Sequence, residues 1–218
     1  MPRVLILLAH PQLEQSRAAA SMLEALQATL ATPPSGLQIE LRDLYARYPD
    51  YLIDVPAEQA ALAGVDLLVW LHPIHWYGMP PLMKLWLDEV LAFGWAYGPG
   101  GQALRGIDLW LSVSTGGPEA SYRSDGYNRY FFEAFLPPYE QTAALTGMRF
   151  LPPLLLHGAH RSGQAELQAH AEVFVQRLRS YPAWPELDEL PACPACEVPG
   201  DARPVPAAMS AALSANPR

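Results

Sequence analysis

Three short segments of the chain hold residue types whose chemistry is not easily spent on packing alone. The first runs from Ala9-His10-Pro11 to Ser16-Arg17-Ala18, where a helix opens. The first turn of a helix leaves backbone N–H groups unpaired and carries the positive end of the helix dipole. With His10, Ser16 and Arg17 as further donors, it suits a phosphate. Ser16 as a plain N-cap and His10 as a turn residue account for the same letters equally well. The second segment, His72-Pro73-Ile74-His75-Trp76-Tyr77-Gly78-Met79-Pro80-Pro81, sets two aromatic side chains beside a glycine. Two such rings can flank a flat ligand while the backbone meets its polar edge, although a core also uses aromatic residues. The third, Ser114-Thr115-Gly116-Gly117-Pro118-Glu119, lets backbone approach a ligand closely and adds hydroxyl donors; a plain turn would look similar. It is no Walker loop, because no Gly-Lys-Ser/Thr follows.

Metal and thiol chemistry find less support. His72 and His75 could ligate a metal at their spacing, yet no carboxylate or cysteine cluster accompanies them, and histidines that are satisfied or exposed are the better account. The two cysteines, Cys193 and Cys196, both lie near the C-terminus and make half a zinc knuckle at best. No metal site is expected.

The elements that must position these segments follow from periodicity. Apolar runs bounded by turn signals occur at Val4–Ala9, Leu37–Leu41, Leu67–Leu71, Leu109–Val113 and Phe150–Leu156. Helical spacing links Ala19, Leu23, Leu26 and Leu30, then Leu82, Trp86, Val90 and Phe93, then Leu167, Ala171, Phe174 and Leu178. Strands alternating with helices imply a parallel sheet covered on both faces by right-handed crossovers. In such a sheet ligands lie beyond the carboxyl ends of the strands, which is where all three segments fall. Between Tyr127 and Leu145 the adjacent Pro137 and Pro138 predict a broken helix. From Tyr181 onward the texture changes: 8 of the 23 prolines fall in the last 38 residues, so residues 1–180 read as one domain and 181–218 as a Pro-rich extended or disordered tail.

Composition agrees with a globular protein. Half of the 218 residues are hydrophobic, which suits one buried core. The formal charge of −8 speaks against nucleic acid, whose phosphates demand a basic face. The apolar start, MPRVLILLAHP, is too short for a spanning helix and lacks a cleavage site, so it reads as the first strand of a cytoplasmic protein.

The stretches LILLAHP, LRDLYARYPDYLIDVPAEQAAL, DLLVWLHPIHWYGMPPLMKLWLDEVLAFGWAYGPGGQAL and SVSTGGPEASY resemble the NAD(P)H:quinone oxidoreductase (DT-diaphorase-like) branch of the flavodoxin-like superfamily. Within it the chain looks most like the bacterial ancillary flavoproteins of glutathione-gated potassium efflux. The resemblance covers roughly residues 3–180 and implies a flavodoxin-like α/β fold, a five-stranded parallel sheet in the order 2-1-3-4-5. It implies flavin phosphate at His10, Ser16, Arg17, Ala18 and Ala19, ring and ribityl contacts at Ile74, His75, Trp76 and Tyr77, and Ser114, Thr115, Gly116 and Gly117 on the ring's other polar edge. Tyr122 falls where mammalian-type members have a tyrosine that assists hydride transfer; the place of the accompanying histidine is taken by Asn128, a departure from that pair. The implied cofactor is FMN, with FAD as the alternative, and NAD(P)H is the co-substrate. A quinone-like acceptor would be reduced by a ping-pong mechanism in a homodimer whose surface uses Phe93–Tyr97 and Tyr127–Phe135. The competing implication is a regulatory subunit of a glutathione-gated potassium/proton antiporter, peripheral at the inner membrane through that partner. A one-electron carrier ranks lowest, because the bulky His75-Trp76-Tyr77 segment resembles the two-electron reductases.

Overall fold

In the computed structural model, which describes residues 1–31 and 36–190, the five apolar runs become β1 (Arg3–Leu8), β2 (Gln38–Asp43), β3 (Leu67–Pro73), β4 (Asp108–Ser114) and β5 (Arg149–Leu156). All neighbouring strands pair in parallel, in the order β2-β1-β3-β4-β5. The helices are α1 (Arg17–Ala31), α2 (Leu44–Arg47), α3 (Val55–Leu62), α4 (Pro81–Val90), α5 (Pro137–Thr146), α6 (Gln164–Ser180) and α7 (Glu186–Glu189). Among the described residues no helix is long and apolar enough to cross a membrane.

Alternation along β1 explains the two layers. Val4, Ile6 and Leu8 face one core with Met22 and Leu26 of α1 and Phe174 and Leu178 of α6. Leu5 and Leu7 face the other, with Leu44, Leu62, Leu82, Trp86 and Tyr139. Successive side chains on a strand point to opposite faces, so a strand buried on both must be apolar throughout. The order reverses beside β1: α1 leaves β1 toward one face, α4 leaves β3 toward the other, and a crevice opens between them.

Three details depart from the sequence expectation. The buried stripe of α1 is Ala18, Met22, Leu26 and Thr29, one residue out of phase with the expected one and sharing only Leu26, while on α6 the expected stripe is the buried one. Phe93 lies beyond the end of α4 and is exposed. Pro137 and Pro138 start α5 rather than break it, after a 3-10 turn at Phe132–Phe135. Prolines in the first turn remove only N–H groups that have no intrahelical acceptor anyway.

The boundary drawn at Tyr181 also moves. Residues 181–190 are packed and not extended tail: the Tyr181 hydroxyl donates to Asp108 Oδ2 at 2.8 Å, and Trp184 is 2 % exposed, edge-on to Trp110 at 5.0 Å. Arg177 stacks over the Trp184 ring at 4.2 Å and pairs with Glu186 at 2.8 Å. Proline content misled because two aromatic residues suffice to anchor so short a piece. Cys193 and Cys196, with the rest of the proposed tail, lie outside the described residues.

Trp184→Ala should lower unfolding free energy by about 3 kcal/mol in urea titration; a loss below about 1 kcal/mol would mean the clasp is incidental. His72, on β3, is buried with its ring stacked on Tyr139 at 5.8 Å, and its Nδ1 lies 2.9 Å from the Pro73 carbonyl. Burial pulls its pKa down to about 4. The unfolded chain therefore takes up a proton first as pH falls, so the stability tied to His72 is complete above pH 6.5 and lost on the way to about 4. The loss is on the order of 3 kcal/mol. His72→Phe should flatten the stability curve in that window, measured as the difference from the parent protein; an unchanged slope refutes this assignment.

Candidate functional site

The loop after β1 begins with Ala9, whose N–H is bonded to the Leu71 carbonyl at 3.0 Å. His10 then turns back so that its Nδ1 accepts the Gln12 N–H at 3.1 Å, which leaves the ring proton on Nε2 as a donor. Ser16 caps α1: its Oγ accepts the Ala19 N–H at 3.2 Å. The N–H groups of Arg17 and Ala18 have no acceptor inside the helix. Burial, then the neighbouring His75, hold His10 below the usual imidazole range, with Asp43 pulling the other way.

The loop after β3 closes as a two-residue hairpin. His75 and Gly78 exchange both backbone bonds, at 2.9 and 3.1 Å, and the residues between them, Trp76 and Tyr77, have φ of 49° and 65°. Consecutive left-handed residues make the primed turn that Asn-Gly normally supplies, and bulky side chains there are strained. Trp76 is consequently held 94 % exposed, while Tyr77 stacks on Phe135 at 5.1 Å and donates to Asn128 Oδ1 at 3.3 Å.

The loop after β4 is tied to the loop after β5. Thr115 N–H bonds to the Leu156 carbonyl, Ala159 N–H to the Thr115 carbonyl and Gly158 N–H to the Gly117 carbonyl, each at 2.9 Å. Of the three N–H groups from Thr115 to Gly117, then, the first is spent on the sheet. A Cβ on Gly116 would lie 3.3 Å from the His160 ring, which would have to shift by a few tenths of an ångström to admit it.

These loops enclose a cavity of about 440 Å³ lined by His10, Ser16, Arg17, Ala18, Ile74, His75, Ser114, Thr115 and Gly116. A second, of about 270 Å³, shares Ile74 and is lined by Trp76, Tyr77, Gly117, Tyr122 and Asn128. Every site residue expected from the sequence borders one of the two except Ala19, whose N–H is used by Ser16. Sequence reasoning missed Gln12, Gln15, Ala159 and His160 in the first cavity and Ser121 and Tyr127 in the second. It also missed His157, whose ring lies 5.1 Å from Tyr122. The loop after β5 was findable, since it too follows the carboxyl end of a strand. His72 and His75 do not converge: the first is buried against Tyr139, and the second lies 6.5 Å from the His10 ring. Although the chain carries a formal charge of −8, no carboxylate lines either cavity among the described residues, and Arg17 with His10, His75 and His160 lines the first.

A family model described as flavodoxin-like fold matches residues 2–178. The glutathione-regulated potassium-efflux system ancillary protein KefF of Citrobacter koseri is 44 % identical over 183 residues, 84 % of this chain and 97 % of that protein. Among solved structures, general stress protein 14 of Treponema denticola in complex with FMN is 38 % identical with a TM-score of 0.75, covering 82 % of this chain and 99 % of that one. An NADPH-quinone reductase of P. pentosaceus is 25 % identical with a TM-score of 0.68, covering 82 % and 98 %.

The strained hairpin yields a prediction that needs no ligand. Trp76→Asn removes an exposed side chain and puts a residue tolerant of positive φ at its position, so stability should rise by about 1 kcal/mol. Thermal melts would show it, and a lower midpoint would mean that Trp76 is held by contacts instead of by the turn.

Proposed function

The chain belongs to the flavodoxin-like fold family, and on that footing we propose that it is an FMN-dependent two-electron reductase passing hydride equivalents from NAD(P)H to a quinone-like acceptor. The observation that carries this reading is the pair of neighbouring cavities that share Ile74: one carboxylate-free and lined by Arg17 around a helix N-terminus, the other lined by Trp76, Tyr77, Tyr122 and Tyr127. The donor set fits a flavin mononucleotide. Arg17, the unpaired N–H groups at the start of α1 and His10 Nε2 would hold the phosphate dianion. Ile74 to Tyr77 would meet the ring from one side, and the loop at Gly116 from the other. Bound there, flavin would supply the capacity to accept a hydride and hand on both electrons.

This chain's own residues do the rest. The N–H groups of Gly116 and Gly117 would face the polar edge of the bound ring, where donors stabilise negative charge. The second cavity takes the dihydronicotinamide and the acceptor in turn, which makes the kinetics ping-pong, with Tyr122 and Asn128 on its wall. Trp76 and Tyr127 on the wall of this cavity, with Tyr130 and Phe131 beside them in the chain and Phe93 beyond α4, are exposed and suit the contact surface of a homodimer. A second reading is favoured by the likeness to KefF along 97 % of its length: the same protein acting in the cytoplasm as the regulatory subunit of a potassium-efflux antiporter at the inner membrane. FAD remains the other candidate for the cofactor.

The purified protein should show a flavin absorption spectrum, release a cofactor with the mass of FMN, and reduce a quinone with NADH or NADPH when no partner is present. Colourless protein that takes up neither FMN nor FAD would falsify the reading. Arg17→Ala should weaken FMN binding at least 10-fold by fluorescence titration, as expected for the loss of a charged hydrogen bond. Turnover that appears only with antiporter-containing membranes would favour the regulatory role.

A further inference from the structure

Resting on the reading of the first cavity as the phosphate site, we infer that His75 makes it a site for a phosphomonoester dianion: its ring takes up a proton as the dianion enters and returns it when the dianion leaves. The charges on the cavity wall leave room for one more. Arg17 is the one permanent cation among the lining residues, and the start of α1 adds the equivalent of about half a charge. A phosphomonoester brings nearly two negative charges at neutral pH, whereas each phosphate of a diphosphate linker, as in FAD, brings one. Arg17 and the helix suffice for the second kind of group and fall short for the first.

The histidines on that wall are not equivalent. His10 Nδ1 accepts the Gln12 N–H at 3.1 Å, so a second ring proton there would break that bond, and burial already holds the ring below the usual imidazole range. His160 lies over Gly116, in the loop after β5. The His75 ring is exposed, stands 6.5 Å from the His10 ring and, among the described residues, has no hydrogen-bond or ion-pair partner. Its backbone is pinned: His75 and Gly78 exchange both bonds, and the Ile74 N–H donates to the Ser114 carbonyl at 2.7 Å. The base of the side chain is thereby fixed at the cavity.

The charged groups around His75 agree in sign. It faces His10 from the loop after β1, Arg17 from α1, His160 from the loop after β5 and, from the end of β3, the buried His72, whose protonation it opposes. The carboxylate felt in this corner is Asp43, which pulls on His10 while its Oδ1 accepts the N–H groups of Tyr45 and Ala46. Glu14 and Arg161, in the neighbouring turns, do not line the cavity. Without an anion, a charge on His75 is opposed and unpaired; a dianion beside His10 reverses that balance. Imidazole is the side chain whose charge such a change moves near neutral pH. The step is a proton transfer alone: solvent gives one proton to the ring, and the imidazolium N–H donates to a phosphate oxygen.

The test is calorimetric titration of FMN into the full-length protein freed of flavin, in buffers of different ionisation enthalpy. It runs between about pH 7 and 9, where the phosphate stays dianionic. Wild type should take up about half a proton at the lower end of that window. Its dissociation constant should rise about 10-fold across it, because the bound state holds a proton that the free state does not. His75→Gln should bind with little uptake and a nearly flat pH profile. His75→Lys, with a permanent charge, should also be flat and bind more tightly than His75→Gln at the upper end. His160→Gln should keep the wild-type uptake, and FAD should draw less proton than FMN. Uptake that survives His75→Gln or is lost in His160→Gln, a His75→Lys profile as steep as wild type, or equal uptake with FAD each overturns the inference. FMN bound by wild type with no net proton overturns this inference alone, whereas a wild type that binds neither FMN nor FAD overturns the proposed function with it.

Discussion

A carboxylate taken fully out of water must be met by donors, and half of this molecule is arranged to meet one. Glu58, on α3, has no exposed surface. It accepts from Arg42 of β2 at 2.5 Å, from the Tyr48 hydroxyl beyond α2, and from Trp86 Nε1 of α4 at 2.9 Å. Burial alone would push its pKa up; the bonds from Arg42, Tyr48 and Trp86 outweigh that and hold it below the usual carboxylate range. Leaving such a group with a missing partner typically costs 3–5 kcal/mol, on the order of a small domain's whole margin. The edge strand, the α2 turn, α3 and α4 are therefore held to one another by polar geometry as well as by apolar area.

That constraint reaches the candidate site through α4, which starts three residues after the Trp76-Tyr77 hairpin. Trp86 fixes the helix against Glu58, and Leu82 and Val90 fix it against the core. On the opposite face α1 is fixed by Met22 and Leu26, which places the first-turn N–H groups at the crevice. Each loop thus runs directly into a helix packed on one of the two cores.

The central strands were legible in the sequence because burial on both faces leaves an unbroken apolar run, and α6 because its stripe has no competitor. On α1 alanine and leucine crowd every turn, so more than one stripe fits and the choice fell one residue out of phase. The three site loops were visible through doublets, Trp76-Tyr77 and Gly116-Gly117, and through Arg17 at a helix start. The fourth was not: His157 and His160 are single residues whose meaning arises from Thr115 and Gly116, some forty positions earlier, across the β4–β5 pair. Glu58 was equally silent, since a lone glutamate between Ala57 and Gln59 looks like any solvated helix position until Arg42 and Trp86 are seen around it.

The clasp formed by residues 181–190 sits at the amino ends of the strands, where Tyr181 reaches Asp108 and the Asp66 carbonyl, and Arg149 reaches the Leu187 carbonyl. The cavities sit at the carboxyl ends, one strand length away, roughly 20 Å at about 3.3 Å per residue. The chain thus leaves its described fold at the pole opposite the candidate site. A tether, reporter or fused domain joined after Leu190 starts out behind the sheet, a strand length from both cavities.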